Sequence, residues 1–424
     1  MTFPETARGL AKAVERTSRR DGIQAARNVL AKREVALGLR RPTMAVYDQA
    51  FQFIGGAQKY GLTMTAALLD TFDITLLANK DIRTEDFKEW YGLDLSACRV
   101  KAVKIPFYEA RGGQHLDPAF VTRDMENPFH LVSRESGNYD VFVNNSMNEM
   151  VFPLAPVSVL ICHFPERRPQ SYFYADRYTR TVCNSRFTAD WIEKKWGFSP
   201  HRLLYPPVDM EPGEDGGGPR NKIILSVARF EPEGFKRQRE MIGAFLKLRK
   251  LRPDAAGDWR FVLAGGSQAK NAYLDRLRDM ISDSGGAVEL KVNIPASDLK
   301  ALYREASIFW HMCGLHREDP GETEHFGMTA VEAMQNGLVP VVYDGGGLPE
   351  IVDHGVNGFR VESTAGLLAR TLGLLADPDL IAGMGRAARE KAKMFSRTNF
   401  EKNARAIFDE ALDLLKSPAG LDVE

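Results

Sequence analysis

The sequence predicts two α/β domains, each built on a parallel, doubly wound sheet, and three observations lead there. The chain has 424 residues, more than one core of roughly 250 to 300 residues holds. Short apolar runs alternate with helix-period segments, the pattern of parallel βαβ units. The alternation breaks at residues 211–220, Glu211-Pro212-Gly213-Glu214-Asp215-Gly216-Gly217-Gly218-Pro219-Arg220, where turn formers and charges mark an exposed linker.

Residues 1–41 read as a basic helical arm, with ten basic residues against four acids. The arm is either a solvated extension or a surface that approaches anionic lipid or a phosphorylated acceptor. The first domain, 42–212, has strands at 44–46, 74–78, 141–144, 157–162 and 181–184. The linker proper is 213–220. The second domain, 221–397, has strands at 223–227, 261–264, 308–312 and 339–343, and helices at 237–249, 273–282 and 329–335. In the last segment, 398–424, Phe400, Ala404, Ile407, Phe408, Ala411, Leu412 and Leu415 recur at the helical period. That stripe has to bury, and packing back on the first domain is the expectation.

Composition removes several classes of function. With 44% hydrophobic and 26% charged residues the chain can bury a large core, which excludes disorder. Lys+Arg and Asp+Glu balance at 56 each, so no nucleic-acid partner is expected. Met1-Thr2-Phe3-Pro4-Glu5 lacks a secretory pattern and no run nears the ~20 apolar residues of a membrane span, so a soluble, cytoplasmic protein is expected. Cys98, Cys162, Cys183 and Cys313 form no CxxC pair and read as reduced. His311, His316 and His325 share no helix-face spacing, and Asp377-Pro378-Asp379 reads as a helix start. No metal is expected.

The chemistry concentrates in residues 324–343, which parse as loop, helix, turn, strand. A helix starting near Gly327 directs its unpaired amides at the preceding loop, which suits a phosphate. Glu324 sits in that loop, and Glu332 follows about two helical turns later. Two carboxylates repel a phosphate, yet each accepts two hydrogen bonds from a vicinal diol. A sugar at one end and a ribose at the other describe a nucleotide diphospho-sugar.

The block Glu-x7-Glu, with Phe326-Gly327 after the first Glu, Glu332-Ala333-Met334 at the second, then Gly337-x-x-Pro340-Val341-Val342, Gly345-Gly346-Gly347 and Pro349-Glu350-Ile351-Val352, resembles glycosyltransferase family 4. Two glutamates as a bare spacing mean nothing; the whole block is specific. Further matches are Gly55-Gly56-Ala57, His163-Phe164-Pro165, Asn184-Ser185, Tyr205-Pro206-Pro207-Val208-Asp209, Val227-Ala228-Arg229-Phe230 and Lys236-Arg237-Gln238. The likeness covers about residues 43–415 and leaves the arm unmatched.

The resemblance implies a GT-B fold, two Rossmann-like domains facing across a cleft, and retaining sugar transfer from a nucleotide donor that is a substrate, with no cofactor and no metal. By motif, Glu324 would bind the donor-sugar hydroxyls and Glu332 the ribose diol. Arg229 and Lys236 would neutralise the diphosphate, and His325 with the amides of Phe326, Gly327 and Met328 would line the donor site. Gly55 and Gly56 would let the first domain's backbone close on the diphosphate, and His163 would stand near the transferred sugar. One departure is that Lys236 lies seven residues after Arg229, where family members often have five. Plainer roles are a surface charge for Arg229, a satisfied histidine for His163, a cap for Ser185, a turn at Gly55-Gly56, and core for Trp310, Phe326 and Met334.

Glu324-His325-Phe326-Gly327 with Val331-Glu332-Ala333-Met334, and His311 and Gly314-Leu315 upstream, is also similar to the mannosyltransferase branch that extends the dolichol-linked core. That likeness tilts the donor from UDP-sugars toward GDP-mannose, with a glycolipid or polysaccharide acceptor. The rival functions are a silent sugar-nucleotide binding protein and a phosphorylase-like or hydrolytic use of the fold. The basic arm, with Arg167, Arg168, Tyr172, Phe173, Tyr174 and Arg177, adds an expectation of peripheral contact at the inner face of a membrane.

Overall fold

The structure, a computed structural model, describes residues 22–105, 121–210, 221–267 and 270–417. Residues 1–21 of the arm and the linker 213–220 therefore lie outside the described residues. The chain divides into two units, Met1–Pro207 with Phe400–Glu424, and Val208–Asn399.

The first unit carries a seven-stranded sheet ordered β3-β2-β1-β4-β5-β6-β7. Its strands are β1 Thr43–Tyr47, β2 Asp73–Ala78, β3 Arg99–Ala102, β4 Val141–Asn144, β5 Val157–Cys162, β6 Arg180–Cys183 and β7 Arg202–Leu203. Every pairing is parallel. The inner strands are buried on both faces, which is why they read as continuous apolar runs instead of alternating ones.

The second unit carries a six-stranded sheet ordered β10-β9-β8-β11-β12-β13. These are β8 Ile223–Val227, β9 Arg260–Gly265, β10 Val288–Val292, β11 Ile308–His311, β12 Val339–Tyr343 and β13 Phe359–Val361, again all parallel. Phe245, Phe261 and Trp310 pack against one another in its core at tilted and edge-on angles, with ring centroids 5.1–6.4 Å apart. Trp310 spends its indole N–H on Thr371 Oγ1 at 3.1 Å, so it is core, as is Met334.

Chain order reverses direction between β1 and β4 in the first sheet and between β8 and β11 in the second. Doubly wound sheets bind ligands in the crevice beyond the carboxyl ends of the strands at such points.

The arm is not wholly a solvated extension. Its described part holds helix α1, Ile23–Ala36, whose Gln24 and Asn28 donate to Leu154 O at 3.4 and 3.1 Å, while Arg40 grips buried Asp140 through two bonds of 2.5 and 2.8 Å. The domain boundary also falls earlier than the residue 212 expected from composition. Val208 N–H donates to Phe395 O and Met210 N–H to Gln335 Oε1, both at 2.9 Å, so these bonds tie Val208–Met210 to the second unit.

Two local signals read as caps are caps. Ser185 Oγ accepts from Thr188 N–H at 3.0 Å at the start of Arg186–Trp196, and Asp377 caps Pro378–Ala392. The final helix, Arg397–Lys416, buries Phe400, Ala404, Ile407, Phe408, Ala411 and Leu415 in the first unit's core.

Candidate functional site

The second unit's switch point supplies most of the predicted residues. Beyond β8, Ala228 N–H bonds Ala264 O at 3.0 Å and Phe230 N–H bonds Gly266 O at 2.8 Å. Gly265 permits this approach, because a Cβ there would lie 1.9 Å from Ala228 O. The 231–237 loop then turns at Gly234, φ +68°, and Gln238 fastens it by donating to Arg229 O at 3.0 Å. The two extra residues thus close a compact turn and return Lys236 to the interior. Arg229 stays outside it, its side chain 78% exposed and paired with Glu231 at 2.7 Å.

Lys236 and His311 both meet Glu324. Glu324 Oε2 accepts from Lys236 Nζ and from His311 Nε2, each at 2.9 Å. A carboxylate can only accept, so His311 Nε2 must carry its hydrogen. Burial opposes ionisation of Glu324, but the Lys236 charge and the His311 bond outweigh it and hold the carboxyl well below its usual value. Burial likewise works against the Lys236 ammonium, and Glu324 holds it above its ordinary value. Burial, with the Lys236 charge behind it, pulls His325 down to about 4 against the Glu324 charge, which leaves its ring neutral near pH 7.

The glycine triplet after β12 has a direct cause. Gly347 N–H donates to Glu324 O at 2.8 Å. A Cβ on Gly346 would lie 2.1 Å from that same oxygen, and one on Gly347 would lie 2.4 Å from His325 O. Gly346 is also at φ +63°. Gly346→Ala is therefore expected to destabilise the protein by roughly 2 kcal/mol or more. An unchanged denaturation midpoint would show that the loop can relax.

Helix α2, Met328–Gln335, starts at Gly327, φ +113°, with Glu324 in the loop before it and Glu332 in its second turn. Phe326 is buried edge-on to Phe395, with ring centroids 5.3 Å apart, so its side chain is core and only its backbone faces the loop. Glu332 Oε2 accepts from the buried Tyr303 hydroxyl at 2.9 Å. That bond orients one carboxylate oxygen.

The structure brings Glu324, Lys236 and His311 together beside the loop that starts α2. It keeps Arg229 on the rim, and places Gly55, Gly56 and His163 in the first unit. Gly55 caps helix Gly56–Ala67 and exchanges hydrogen bonds with Tyr91 Oη at 2.8 and 3.2 Å. The His163 ring stands edge-on to Tyr60, at 5.0 Å between centroids. His311 as the partner of Glu324 and Tyr303 as the partner of Glu332 were not legible as such. His311 ends an apolar strand, which is a faint signal; Tyr303 gives none.

His311, Cys313 and Glu324 offer ligand atoms within 4.8 Å of one another. Burial pushes the Cys313 thiol up to about 12, which makes it a poor ligand at neutral pH. The Lys236 ammonium bonds the same Glu324 oxygen and lies 3.8 Å from Cys313 Sγ, so an ion at this group would compete with the lysine for that oxygen.

The aromatic and basic residues after His163 are engaged within the first unit. Arg167 covers the Phe173 ring at 4.7 Å, Arg168 pairs with Glu166, and Tyr172 donates to Met125 O at 2.7 Å.

Residues 214–391 match the family described as Glycosyl transferases group 1. The second unit belongs to that family. The fold is GT-B: the HepE protein of Anabaena in complex with UDP-glucose superposes with a TM-score of 0.65 at 17% identity, over 87% of this chain and 100% of that one. A sucrose-phosphate synthase from Thermosynechococcus elongatus gives 0.61 at 16% identity, over 88% and 99%. By sequence, the chain is 31% identical over 238 residues to a human GDP-Man:Man(3)GlcNAc(2)-PP-Dol alpha-1,2-mannosyltransferase, over 52% of this chain and 46% of the relative. It is 29% identical over 232 residues to a D-inositol 3-phosphate glycosyltransferase of Corynebacterium glutamicum (strain R), over 50% and 51%. The chain spans about half the length of these curated relatives.

Proposed function

We propose that this chain is a retaining glycosyltransferase that moves a hexosyl group from a nucleotide diphospho-sugar, GDP-mannose first among the candidates, to a hydroxyl of a glycolipid or polysaccharide. One observation carries the reading. Glu324 is held ionised by Lys236 and His311 beside the start of α2, with Glu332 oriented eight residues further on.

In this reading Glu324 accepts hydrogen bonds from donor-sugar hydroxyls and Glu332 from the ribose diol. The acceptor oxygen forms a bond to the anomeric carbon as the bond from that carbon to the phosphate oxygen breaks. The diphosphate leaves with the electron pair, and its departing oxygen takes the acceptor proton on the same face. Lys236, Arg229 and the leading amides of α2 stabilise the charge that develops, without a metal. His163 and the Gly55-Gly56 backbone act from the first unit. The donor named in the human relative supports the lean to GDP-mannose. Peripheral contact with a lipid-linked acceptor is part of this reading; among the described residues no helix is long and apolar enough to cross a membrane.

A thermal-shift panel of UDP-, GDP-, dTDP- and ADP-sugars tests the donor. GDP-mannose is expected to give the largest shift, corresponding to about 2.7 kcal/mol at a hundred times its dissociation constant. Binding without turnover would leave the silent reading, turnover to free sugar alone the hydrolytic one.

A further inference from the structure

The two cations assigned to the diphosphate are held in different ways. Lys236 is anchored through its side chain, by the bond to Glu324 at 2.9 Å. The Arg229 side chain is 78% exposed in its pair with Glu231, so where its guanidinium stands depends on its backbone. That backbone is fixed by Gln238, whose Nε2 donates to Arg229 O at 3.0 Å.

Gln238 is itself held by a residue of another helix. A carbonyl can only accept, so the bond to Arg229 O settles which end of the Gln238 amide is nitrogen and leaves Oε1 needing a donor. Gln238 is 1% exposed. The Tyr273 hydroxyl supplies the donor, at 3.2 Å from Oε1. Burial raises this hydroxyl above its ordinary value, so it keeps the proton it donates.

Tyr273 does two further things for the same segment. Helix Gln238–Leu251 follows Arg237, which is left-handed at φ +59°, and has no side-chain cap of its own. The first amides of such a helix lack partners, and Tyr273 Oη accepts from one of them, Arg239 N–H, at 3.2 Å. The ring also carries the turn, since a Cβ on Gly234 would lie 3.0 Å from Tyr273 Cε2. Tyr273 lies in the first turn of helix Ala272–Ile281, whose cap Asn271 accepts from Tyr273 N–H at 3.0 Å and donates through Nδ2 to Phe230 O. The start of this helix therefore grips the loop at both ends, at Phe230 and at Gln238-Arg239. The two extra residues between Arg229 and Lys236 give the loop more conformations to lose, and these contacts select one of them.

We infer that Tyr273 is a positioning residue for Arg229: acting through Gln238, it holds the backbone from which the guanidinium reaches the diphosphate, and it touches no substrate itself. The inference rests on the proposed transfer and adds to it a residue that sets the reach of one cation.

Calorimetry on the full chain decides it, with the tightest-binding of GDP, UDP, dTDP and ADP as probe. Tyr273→Phe removes only the hydroxyl and is expected to weaken that diphosphate about fivefold. Gln238→Met keeps the size of the side chain, removes both of its bonds and should do the same, and the two together should do no more. In an Arg229→Ala background, Tyr273→Phe is expected to change affinity by less than about twofold, while lowering the denaturation midpoint as much as it does in the wild type. A tyrosine that only packs would lower the midpoint and leave affinity unchanged, and that result overturns the inference. Equal losses of affinity with and without Arg229 overturn it as well. A wild type that binds none of the four diphosphates sinks this inference and the transferase reading together. Coupling between Tyr273 and Arg229 in a protein that turns over no donor sinks only the transferase reading, and turnover without that coupling sinks only this inference.

Discussion

Glu324→Ala is expected to lower sugar transfer by about 10²-fold while free-nucleotide affinity changes little, and Glu332→Ala is expected to weaken nucleotide and donor alike by about ten- to a hundredfold. The asymmetry follows from what each carboxylate is assigned. A free nucleotide has the ribose diol that Glu332 would hold and lacks the sugar that Glu324 would hold, and a charge-assisted hydrogen bond to a buried hydroxyl is worth roughly 1.5–3 kcal/mol. Glu324→Ala has a second consequence. It strands the Lys236 ammonium, one-fifth exposed, without the carboxylate at 2.9 Å. Breaking a buried pair from one side costs about 3–5 kcal/mol, and partial exposure brings this case below that range. Glu324→Gln keeps the shape and one acceptor oxygen, so it should recover stability more than turnover. The sign with pH follows from the lowered carboxyl value: the stability Glu324 contributes is present above the ordinary carboxylate range and is lost only as pH falls through its depressed value. Equal effects of the two alanine variants on nucleotide affinity, measured by calorimetry, would sink the assignment.

The inner strands of both sheets could be read from the sequence and the edges could not, for a physical reason. The strands absent from the sequence reading are β3, β7, β10 and β13, the outermost in each sheet. An inner parallel strand is covered on both faces and becomes an apolar run, whereas an edge strand is half solvated. In β3, Arg99, Val100 and Lys101 are exposed, and β10 alternates without a run. The Glu324 to Glu332 block was legible because its parts are consecutive along the chain. Its electrostatic partners were not, because Lys236 reaches Glu324 across 88 positions and Tyr303 reaches Glu332 across 29. Periodicity and local motif report short-range order, and a buried ion pair is long-range.

Arg229→Ala is expected to cut turnover by about 10² or more, and EDTA is expected to leave activity intact. Cleaving the bond between sugar and diphosphate develops negative charge on the leaving group, which a metal or fixed cations and dipoles must stabilise. Lys236 is committed to Glu324, so it can serve the diphosphate only while also holding the carboxylate. Arg229 is bound less tightly. Its own side chain is 78% exposed in the pair with Glu231, and pairs with a solvent-exposed partner are worth about 1 kcal/mol, so exchanging Glu231 for a doubly charged phosphate group costs little. Removing one electrostatic stabiliser of a transition state is worth roughly 3–4 kcal/mol. Arg229→Lys keeps the charge but loses the planar fork, and should recover only part of the rate. Single-turnover kinetics with saturating donor separate this from a binding defect. Unchanged turnover in Arg229→Ala, or complete loss with EDTA and rescue by Mg²⁺ or Mn²⁺, would refute charge stabilisation by fixed side chains.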